Sequence, residues 1–321
     1  MAADLGFERL EFMVAWWLRA VSLFNVLCVI AWVAWAWPRS AWLAVVGVVL
    51  FMLAGRLWLG LQFWVMQIFK RRLGLPVASR DAVLRAWNAE TQESMHQFAW
   101  QIPWREWEVG DHLPPDAQGR CGVVLVHGWM CNRAVWTQTM LQLRAQNIPY
   151  VAVSLPMLLH GIATARPTVE AAVRRLHEAT GVAPLLVGHS MGGLVLRDWL
   201  RSLPAGSGLV PHAAITIGTP HHGSPLAMCV LGTNVKEMRP GSAWLAQLRS
   251  DEAETGSAFS RVRWHCVFSD CDNVVFPEST SQLANGEPHL LAGYAHVQML
   301  GAPRLWALIE SQLPFAARVR C

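Results

Sequence analysis

The chain has 321 residues, of which 53% are hydrophobic and only 15% are charged, and its formal net charge is +4. That composition is apolar for a soluble enzyme. Residues 1–72 hold seven basic and three acidic residues and carry the whole net charge, while the rest of the chain is neutral and gives no reason to expect nucleic-acid binding. The seven cysteines are odd in number and lack a metal-like pair spacing, which suits a reducing compartment.

Two long apolar stretches near the start of the chain predict a membrane anchor. Residues 20–37 and 41–55 contain no charge, and the short turn Pro38-Arg39-Ser40 separates them. Because a helix rises about 1.5 Å per residue, the first stretch alone spans about 27 Å, close to the hydrocarbon core of a bilayer. We expect two transmembrane helices, at about residues 18–37 and 41–61.

Tryptophan placement supports this interpretation, because aromatic side chains concentrate at both interfaces of a membrane. A hairpin buried against the larger domain would have to bury all of this tryptophan. A cleaved signal peptide would have a shorter apolar region followed by a small-residue cleavage site. The tryptophans lie at the entrance (Trp16, Trp17), the turn (Trp35, Trp37, Trp42) and the exit (Trp58, Trp64) of the two stretches.

Basic residues around the two stretches predict their orientation. Arg56 falls near the end of the second span, where its side chain can reach the interface, and the helix can continue along the interface beyond it. The cluster Lys70-Arg71-Arg72 follows, whereas the turn holds only Arg39. The positive-inside rule then places both ends of the anchor in the cytoplasm, and the cluster favours anionic lipid. We therefore divide the chain into an anchor, residues 1–72, and a larger domain, residues 73–321.

The larger domain begins with a connecting segment and continues as an alternation of strands and helices. Residues 81–93 have helical character, and alternating apolar residues over 98–102 and 104–109 predict one or two early antiparallel strands. Beyond them, the alternation predicts an α/β fold, in which a mostly parallel sheet is covered by helices on both faces. Strand patterns lie near 122–126, 148–153, 184–187, 213–217 and 262–269, and helical patterns near 133–146, 168–180, 191–201 and 301–313.

The segment Gly188-His189-Ser190-Met191-Gly192 joins a predicted strand to a predicted helix. Glycines two residues either side of the serine allow a tight turn that exposes a strained hydroxyl, as in a nucleophile elbow. We predict that Ser190 is a nucleophile. A plain Gly-Ser turn is the alternative, because so short a motif also occurs by chance.

About sixty residues upstream, another predicted strand runs into His127-Gly128-Trp129-Met130. Acyl transfer builds negative charge on the carbonyl oxygen, and two preorganised backbone N–H groups can stabilise that charge. We assign this oxyanion hole to the N–H groups of Trp129 and Met191. We expect His127 to hydrogen-bond the loop rather than to transfer protons.

Three segments follow one another in the order VLVHGWMCN, VGHSMGGLVLRDWL and ITIGTPHHGS. Together they resemble the bacterial lipases and esterases of the α/β-hydrolase superfamily. The resemblance covers about Gly122 to Leu313 and implies the α/β-hydrolase fold and ester hydrolysis. It does not indicate the chain length or head group of the substrate.

The acid and the base of a catalytic triad follow the serine in this fold. Strand 262–269 leads into Asp270-Cys271-Asp272, so both aspartates are candidates by position. In related lipases the acid stands immediately before a short stretch that contains valines and ends in proline. Asp272, followed by Asn273-Val274-Val275-Phe276-Pro277, fits that pattern better than Asp270.

For the base, His296 lies on a loop before the last predicted helix, about two dozen residues after Asp272. Its imidazole would take the serine proton and return it to the leaving alcohol, while the aspartate orients the ring. His289 is the alternative. His265 lies inside a predicted strand and is expected to be a residue of the core or of a sheet face.

No metal and no cofactor are expected. His221 and His222 are adjacent, so their side chains point to opposite sides of an extended chain and make a poor metal site without a third ligand. Residues 157–162 and 224–254 are candidate lid or substrate-pocket segments, and the second is rich in apolar residues. An apolar cap near a membrane anchor favours acyl esters, although ordinary helix packing explains most of the same residues.

Taken in order, these features predict a membrane-anchored serine hydrolase that cleaves lipid or other acyl esters through an acyl-enzyme. Its expected partners are the ester substrate and membrane lipids, with no nucleic acid. An acyltransferase with the same triad is the nearest alternative. A noncatalytic membrane scaffold with a hydrolase fold is the other, and the intact serine, acid and histidine argue against it.

Overall fold

Six parallel strands form one sheet at the centre of the molecule. The structure, a computed structural model, describes residues 13–156, 160–204, 206–254 and 257–313. The strand order is β2-β1-β3-β4-β5-β6, and every neighbouring pair is parallel. The strands are Val123–Val126 (β1), Tyr150–Ala152 (β2), Leu185–His189 (β3), Ala213–Ile217 (β4), Arg263–Phe268 (β5) and Gly286–Leu290 (β6).

Helices precede the sheet and connect its strands, because parallel neighbours need a crossover. The helices are Met13–Ala36 (α1), Ala41–Arg72 (α2), Arg80–His96 (α3), Ile102–Trp104 (α4), Thr137–Ala145 (α5), Arg166–Thr180 (α6), Met191–Arg201 (α7), Thr233–Glu237 (α8), Ala243–Glu252 (α9) and Pro303–Ser311 (α10). A π-helical segment, Gln97–Gln101, joins α3 to α4. Short 3₁₀ turns lie at Arg133–Trp136, Ile162–Ala165, Pro225–Cys229, Ala258–Arg261, Glu278–Ser281 and Gln298–Gly301.

Apolar residues cover both faces of the sheet. Along β3, Leu186 packs on one face with residues of α6 and α7. Leu185 and Val187 point to the other face and pack with residues of α5 and α10. A strand that is buried on both faces is apolar at every position, which is why β1 and β3 were predictable as continuous apolar runs.

The predicted α/β architecture is confirmed, with two differences in its elements. β6 was not predicted, because it contains Pro288 and polar residues that only an edge strand tolerates. The predicted early strands were wrong: residues 104–109 form the end of α4 and turns, and residues 98–102 are helical. The buried residues around residues 98–102 are Gln97, Gln101 and Ile102. Buried positions therefore recur every four to five residues, as in a helix, rather than every second residue, as in a strand.

The two long N-terminal helices form a hairpin that is largely unburied. By length and composition, both are apolar enough to cross a membrane, and only 17% and 6% of their most apolar windows are buried. α2 has 32 residues, or about 48 Å at the rise of an α-helix, whereas a hydrocarbon core is about 30 Å thick. The helix is therefore longer than a single span requires.

The last turns of α2 pack against the domain that contains the sheet. Phe63 and Met66 are buried in an apolar cluster with Cys271, Phe276 and Ala295. Lys70 is 1% exposed and forms an ion pair with Glu278. Its ammonium group also donates to the carbonyl of Asp270, 3.2 Å away. The second helix thus reaches the loop that follows β5.

Candidate active site

Ser190 occupies the sharp turn between β3 and α7. Its backbone adopts φ 54° and ψ −126°, a left-handed conformation that is unfavourable for a residue with a side chain and that the surroundings must hold in place. The Ser190 N–H donates to the carbonyl of Ile217 at the end of β4, 2.7 Å away. The serine is partly exposed, whereas its neighbours His189 and Met191 are buried. This is the elbow geometry that the sequence predicted.

The loop after β1 passes directly beside Ser190. A Cβ atom on Gly128 would lie 2.7 Å from the Cβ of Ser190, so only glycine permits this approach. Trp129 follows in that loop, and Met191 opens α7, where the first N–H groups have no partner within the helix. Trp129 directly follows Gly128, which lies against Ser190, and Met191 directly follows Ser190. Both residues assigned to the oxyanion hole are therefore next to the proposed nucleophile or to its neighbour.

Asp272 and His296 form a buried pair in the loops that follow β5 and β6. These loops lie at the carboxyl ends of the strands, as does Ser190 after β3. His296 Nδ1 lies 3.0 Å from each carboxylate oxygen of Asp272. The Asp272 carboxylate also accepts the N–H groups of Val274 and Val275, at 2.9 and 2.8 Å. A Cβ on Gly218, just after β4, would lie 3.0 Å from both Asp272 and His296. These contacts fix the position of the carboxylate and orient the imidazole.

The two alternative residues have other partners. The Asp270 carboxylate accepts the N–H of Gly293, 2.7 Å away. His289 lies on β6, and its Nε2 is 3.0 Å from Nδ1 of His265 on β5. The structure therefore brings Asp272 together with His296 and gives the Asp270 and His289 side chains other partners, and the assignment of acid and base stays a prediction.

Glu90 is a further residue of this region that sequence reasoning missed. It lies on α3, is 1% exposed, and accepts the N–H groups of Val297 and Gln298 at 3.0–3.1 Å. Burial raises the pKa of its carboxyl to about 7, although these hydrogen bonds and the nearby His296 act in the opposite direction. No local pattern marks Glu90, because its partners lie more than 200 residues away in the chain.

The charge on His296 is set by opposing effects. Burial lowers its pKa, but the charge and hydrogen bond of Asp272 and the charge of Glu90 outweigh burial, so that the net pKa is raised above 6.5. The neighbouring His189 ring lies 4.7 Å from the His296 ring, and its Nε2–H donates to the His296 carbonyl. Burial lowers the pKa of His189 well below its usual value, so His189 is neutral and supports the loop.

His127 and His221 also have structural partners. His127 Nδ1 donates to the carbonyl of Gly128 at 2.8 Å, and its Nε2 accepts the N–H of Leu155 at 2.8 Å. Burial lowers the pKa of His127 to about 4, so the ring remains neutral. His221 is buried beside Arg197 and Thr216.

The predicted lid segments are only partly described. Met157–Leu159 lie outside the described residues. Residues 224–254 contain α8 and α9, and the carboxylate of Glu237 at the end of α8 accepts the N–H of Ile162 at 2.6 Å, which links the two segments. Leu231 is 82% exposed. A lid function for these segments stays a prediction.

Two solved structures of lipases are similar to this chain in fold. The mature lipase BlEst2 of Bacillus licheniformis is 15% identical, with a TM-score of 0.52 over 62% of this chain and 96% of that one. Lipase B of Aspergillus fumigatus is 17% identical, with a TM-score of 0.51 over 59% of this chain and 51% of that one. At such identities the likeness concerns the fold alone.

No curated protein matches the sequence. A sequence model described as "Alpha/beta hydrolase family" matches residues 123–317, more than half of the chain. That match begins at β1 and includes the elbow, the Asp272 loop and the His296 loop. The chain belongs to the alpha/beta hydrolase family.

Proposed function

We propose that this protein is a serine hydrolase that cleaves carboxylic esters through an acyl-enzyme and is anchored in a membrane by α1 and α2. The observation that carries the proposal is the buried Asp272–His296 pair. This pair lies at the carboxyl ends of the strands, where the strained Ser190 elbow also lies. The family assignment supports it, because this fold commonly presents a serine nucleophile at such an elbow.

In the proposed mechanism, His296 removes the proton of the Ser190 hydroxyl as the oxygen attacks the ester carbonyl carbon. The N–H groups of Trp129 and Met191 stabilise the negative charge that forms on the carbonyl oxygen. His296 then protonates the leaving alcohol, and the acyl group stays on Ser190. Water, activated by the same histidine, releases the acid. Asp272 keeps the imidazole in the productive tautomer and stabilises its charged form.

The substrate that fits this chain best is a lipid or another acyl ester. The hairpin would keep the active site close to a membrane, where such esters are concentrated. Both solved structures described above carry the word lipase in their names. We place the protein in a bacterial inner membrane with two spans and the hydrolase in the cytoplasm, on the basis of the basic cluster Lys70-Arg71-Arg72.

The test of the nucleophile uses the full-length protein in detergent and a fluorophosphonate probe, which labels activated serines. Ser190→Ala should abolish labelling and lower ester hydrolysis by a factor on the order of 10⁶. The matched control is Ser202→Ala, because Ser202 is exposed at the end of α7 and bonds only the carbonyl of Trp199 in the structure. Persistent labelling of a folded Ser190→Ala protein would reject the assignment.

The same preparation separates hydrolysis from acyl transfer. With a p-nitrophenyl acyl ester and glycerol as acceptor, the proposed hydrolase releases mainly free acid. If acyl glycerol accumulates faster than free acid, the protein is an acyltransferase that uses the same residues. If the wild-type protein neither reacts with the probe nor turns over any ester, it is a noncatalytic member of the fold.

A further inference from the structure

Three potential metal ligands meet on the two strands at one edge of the sheet. His265 on β5 is the register partner of Glu287 on β6, and His289 follows Glu287 by two residues. Because side chains alternate along a strand, register partners and residues two apart project from the same face. The parallel pairing of β5 and β6 therefore gathers two imidazoles and one carboxylate.

The ligand atoms form a compact triangle. His265 Nδ1 lies 3.0 Å from His289 Nε2 and 3.4 Å from a carboxylate oxygen of Glu287. His289 Nε2 lies 3.6 Å from the other carboxylate oxygen. All of these atoms fall within 4.8 Å of one another.

The spacing of these ligand atoms is close to that of a tetrahedral zinc site. Zinc binds imidazole nitrogen at about 2.0–2.1 Å and carboxylate oxygen at about 2.0–2.2 Å. In a tetrahedron with such bonds, neighbouring ligand atoms lie about 3.3–3.6 Å apart. The distances from the two imidazole nitrogens to the Glu287 carboxylate, 3.4 and 3.6 Å, fall in this range but end on different oxygens, and the 3.0 Å His265–His289 distance is slightly shorter.

Burial and charge at the cluster also suit a cation. His265 is buried, and the side of the cluster that it occupies is closed to solvent. Glu287 is exposed and supplies a negative charge on the solvent side, so an ion can enter from that side. Two arginines lie near the cluster: Arg304 lines the groove beside His289, and Arg263 lies two residues before His265 on β5.

We propose that His265, Glu287 and His289 bind a divalent transition-metal ion of the zinc type, with water as the remaining ligand. The site would hold the edge strand β6 to β5. Asp272 lies seven residues after His265, and His296 lies seven residues after His289. A metal ion there would therefore stabilise the two strands whose following loops carry the proposed acid and base, without taking part in the reaction.

The test uses the full-length protein in detergent, carrying a purification tag without histidine, treated with a chelator and dialysed against zinc chloride. We expect one tightly bound zinc ion per chain and a higher melting temperature with zinc than without it. His289→Ala should weaken zinc binding at least about tenfold, because even the partners of metal ligands contribute that much. Glu287→Gln changes an exposed side chain, so it should fold even if His289→Ala does not, and it should also weaken binding.

The matched control is His222→Ala. His222 is a histidine outside the cluster whose ring bonds the carbonyl of Gln282, so its removal should leave zinc binding unchanged. Ser190→Ala should bind zinc like the wild type, which keeps this test independent of the catalytic proposal. If the chelated wild type takes up no zinc, or if Glu287→Gln and His222→Ala bind it equally, then His265 and His289 merely share a hydrogen bond and the proposal is overturned.

Discussion

At the scale of single residues, the side-chain contacts of Asp270 and Asp272 distinguish the two candidate acids. Asp272 contacts the His296 ring, whereas the Asp270 carboxylate accepts the backbone N–H of Gly293. We predict that Asp272→Asn lowers kcat by about 10⁴-fold, because the amide favours the wrong tautomer of His296. Asp270→Asn should keep most of the activity and at most lower stability by about 1–3 kcal/mol. Steady-state ester hydrolysis measures the first effect and thermal unfolding the second.

The histidines provide a second comparison in the same assay. His296→Ala should remove activity to a similar extent as Asp272→Asn or more, since it removes the proton carrier itself. His289→Ala should retain it, because His289 contacts His265 and Glu287 rather than Asp272. Equal losses for Asp270→Asn and Asp272→Asn, or a loss only in His289→Ala, would mean that the acid or the base has been assigned to the wrong residue.

Glu90 gives a prediction about pH. Catalysis needs neutral His296, and the negative charges of Asp272 and Glu90 raise the pKa of that ring despite its burial. The acid limb of kcat/KM should therefore lie above the usual histidine value of about 6.5. Glu90→Gln removes a carboxyl whose pKa of about 7 leaves it only partly charged in this pH range, so the limb should move to lower pH, by less than about one unit. The measurement is the pH dependence of kcat/KM for an uncharged ester.

Glu93→Gln is the control, because Glu93 lies on the same helix and bonds only Gln97 through its side chain in the structure. It should leave the acid limb where the wild type has it. If Glu90→Gln lowers activity equally at every pH and does not move the limb, then Glu90 only supports the Val297–Gln298 backbone. The proposal that the charge of Glu90 raises the pKa of His296 would then be rejected.

At the scale of elements, α2 contributes to the stability of the domain that it enters. Phe63 is 2% exposed and packs with Cys271, Phe276 and Ala295 around the Asp272 loop. We predict that Phe63→Ala lowers the free energy of unfolding by about 3–5 kcal/mol, as removal of a buried phenylalanine usually does. Leu61→Ala is the matched control on the same helix, since Leu61 is exposed. Chemical unfolding of both variants in the same detergent provides the measurement.

The contacts of α2 also affect where the anchor ends. A fragment that starts at residue 73 would lose Phe63, Met66 and the Lys70–Glu278 ion pair. It would also leave the apolar cluster around Phe276 open to solvent. If Phe63→Ala and Leu61→Ala unfold with equal free energies, α2 contributes little to the domain, and the boundary at Arg72 would separate two independent units.

The elements differ in how far the sequence alone could predict them, and the reason is physical. β1 and β3 are buried on both faces and are apolar at most positions, so their pattern is unambiguous. The elbow is equally local, because its glycines and serine are consecutive. β6 pairs with one neighbour only and tolerates Pro288, while Glu90 meets its partners through the packing of a connecting helix. Neither leaves a periodic pattern in the chain.

At the scale of the whole molecule, two arginines lie where the hairpin meets the hydrolase. Arg19 of α1 lies over the Trp104 ring at 5.1 Å, and Arg56 of α2 lies over the Trp87 ring at 4.7 Å. Trp87 and Trp104 both belong to the connecting segment. In a bilayer, such arginine–tryptophan pairs would lie at the interface. Residues 20–55 between them would then form the spans.

This arrangement leads to a prediction about topology. The hydrolase adjoins the hairpin at the end that carries Lys70, Arg71 and Arg72, whereas the turn between the helices holds only Arg39. Because basic residues remain on the cytoplasmic side, we expect the hydrolase in the cytoplasm and the turn on the opposite side of the membrane. In a bacterial host, a C-terminal green fluorescent protein fusion should be bright and a C-terminal alkaline phosphatase fusion inactive. As a control, replacing the exposed Arg71 and Arg72 with glutamine and adding lysines beside Arg39 should shift activity toward the phosphatase fusion, while Lys70 keeps its ion pair with Glu278. An active phosphatase fusion of the unchanged chain would place the hydrolase outside and reject the orientation.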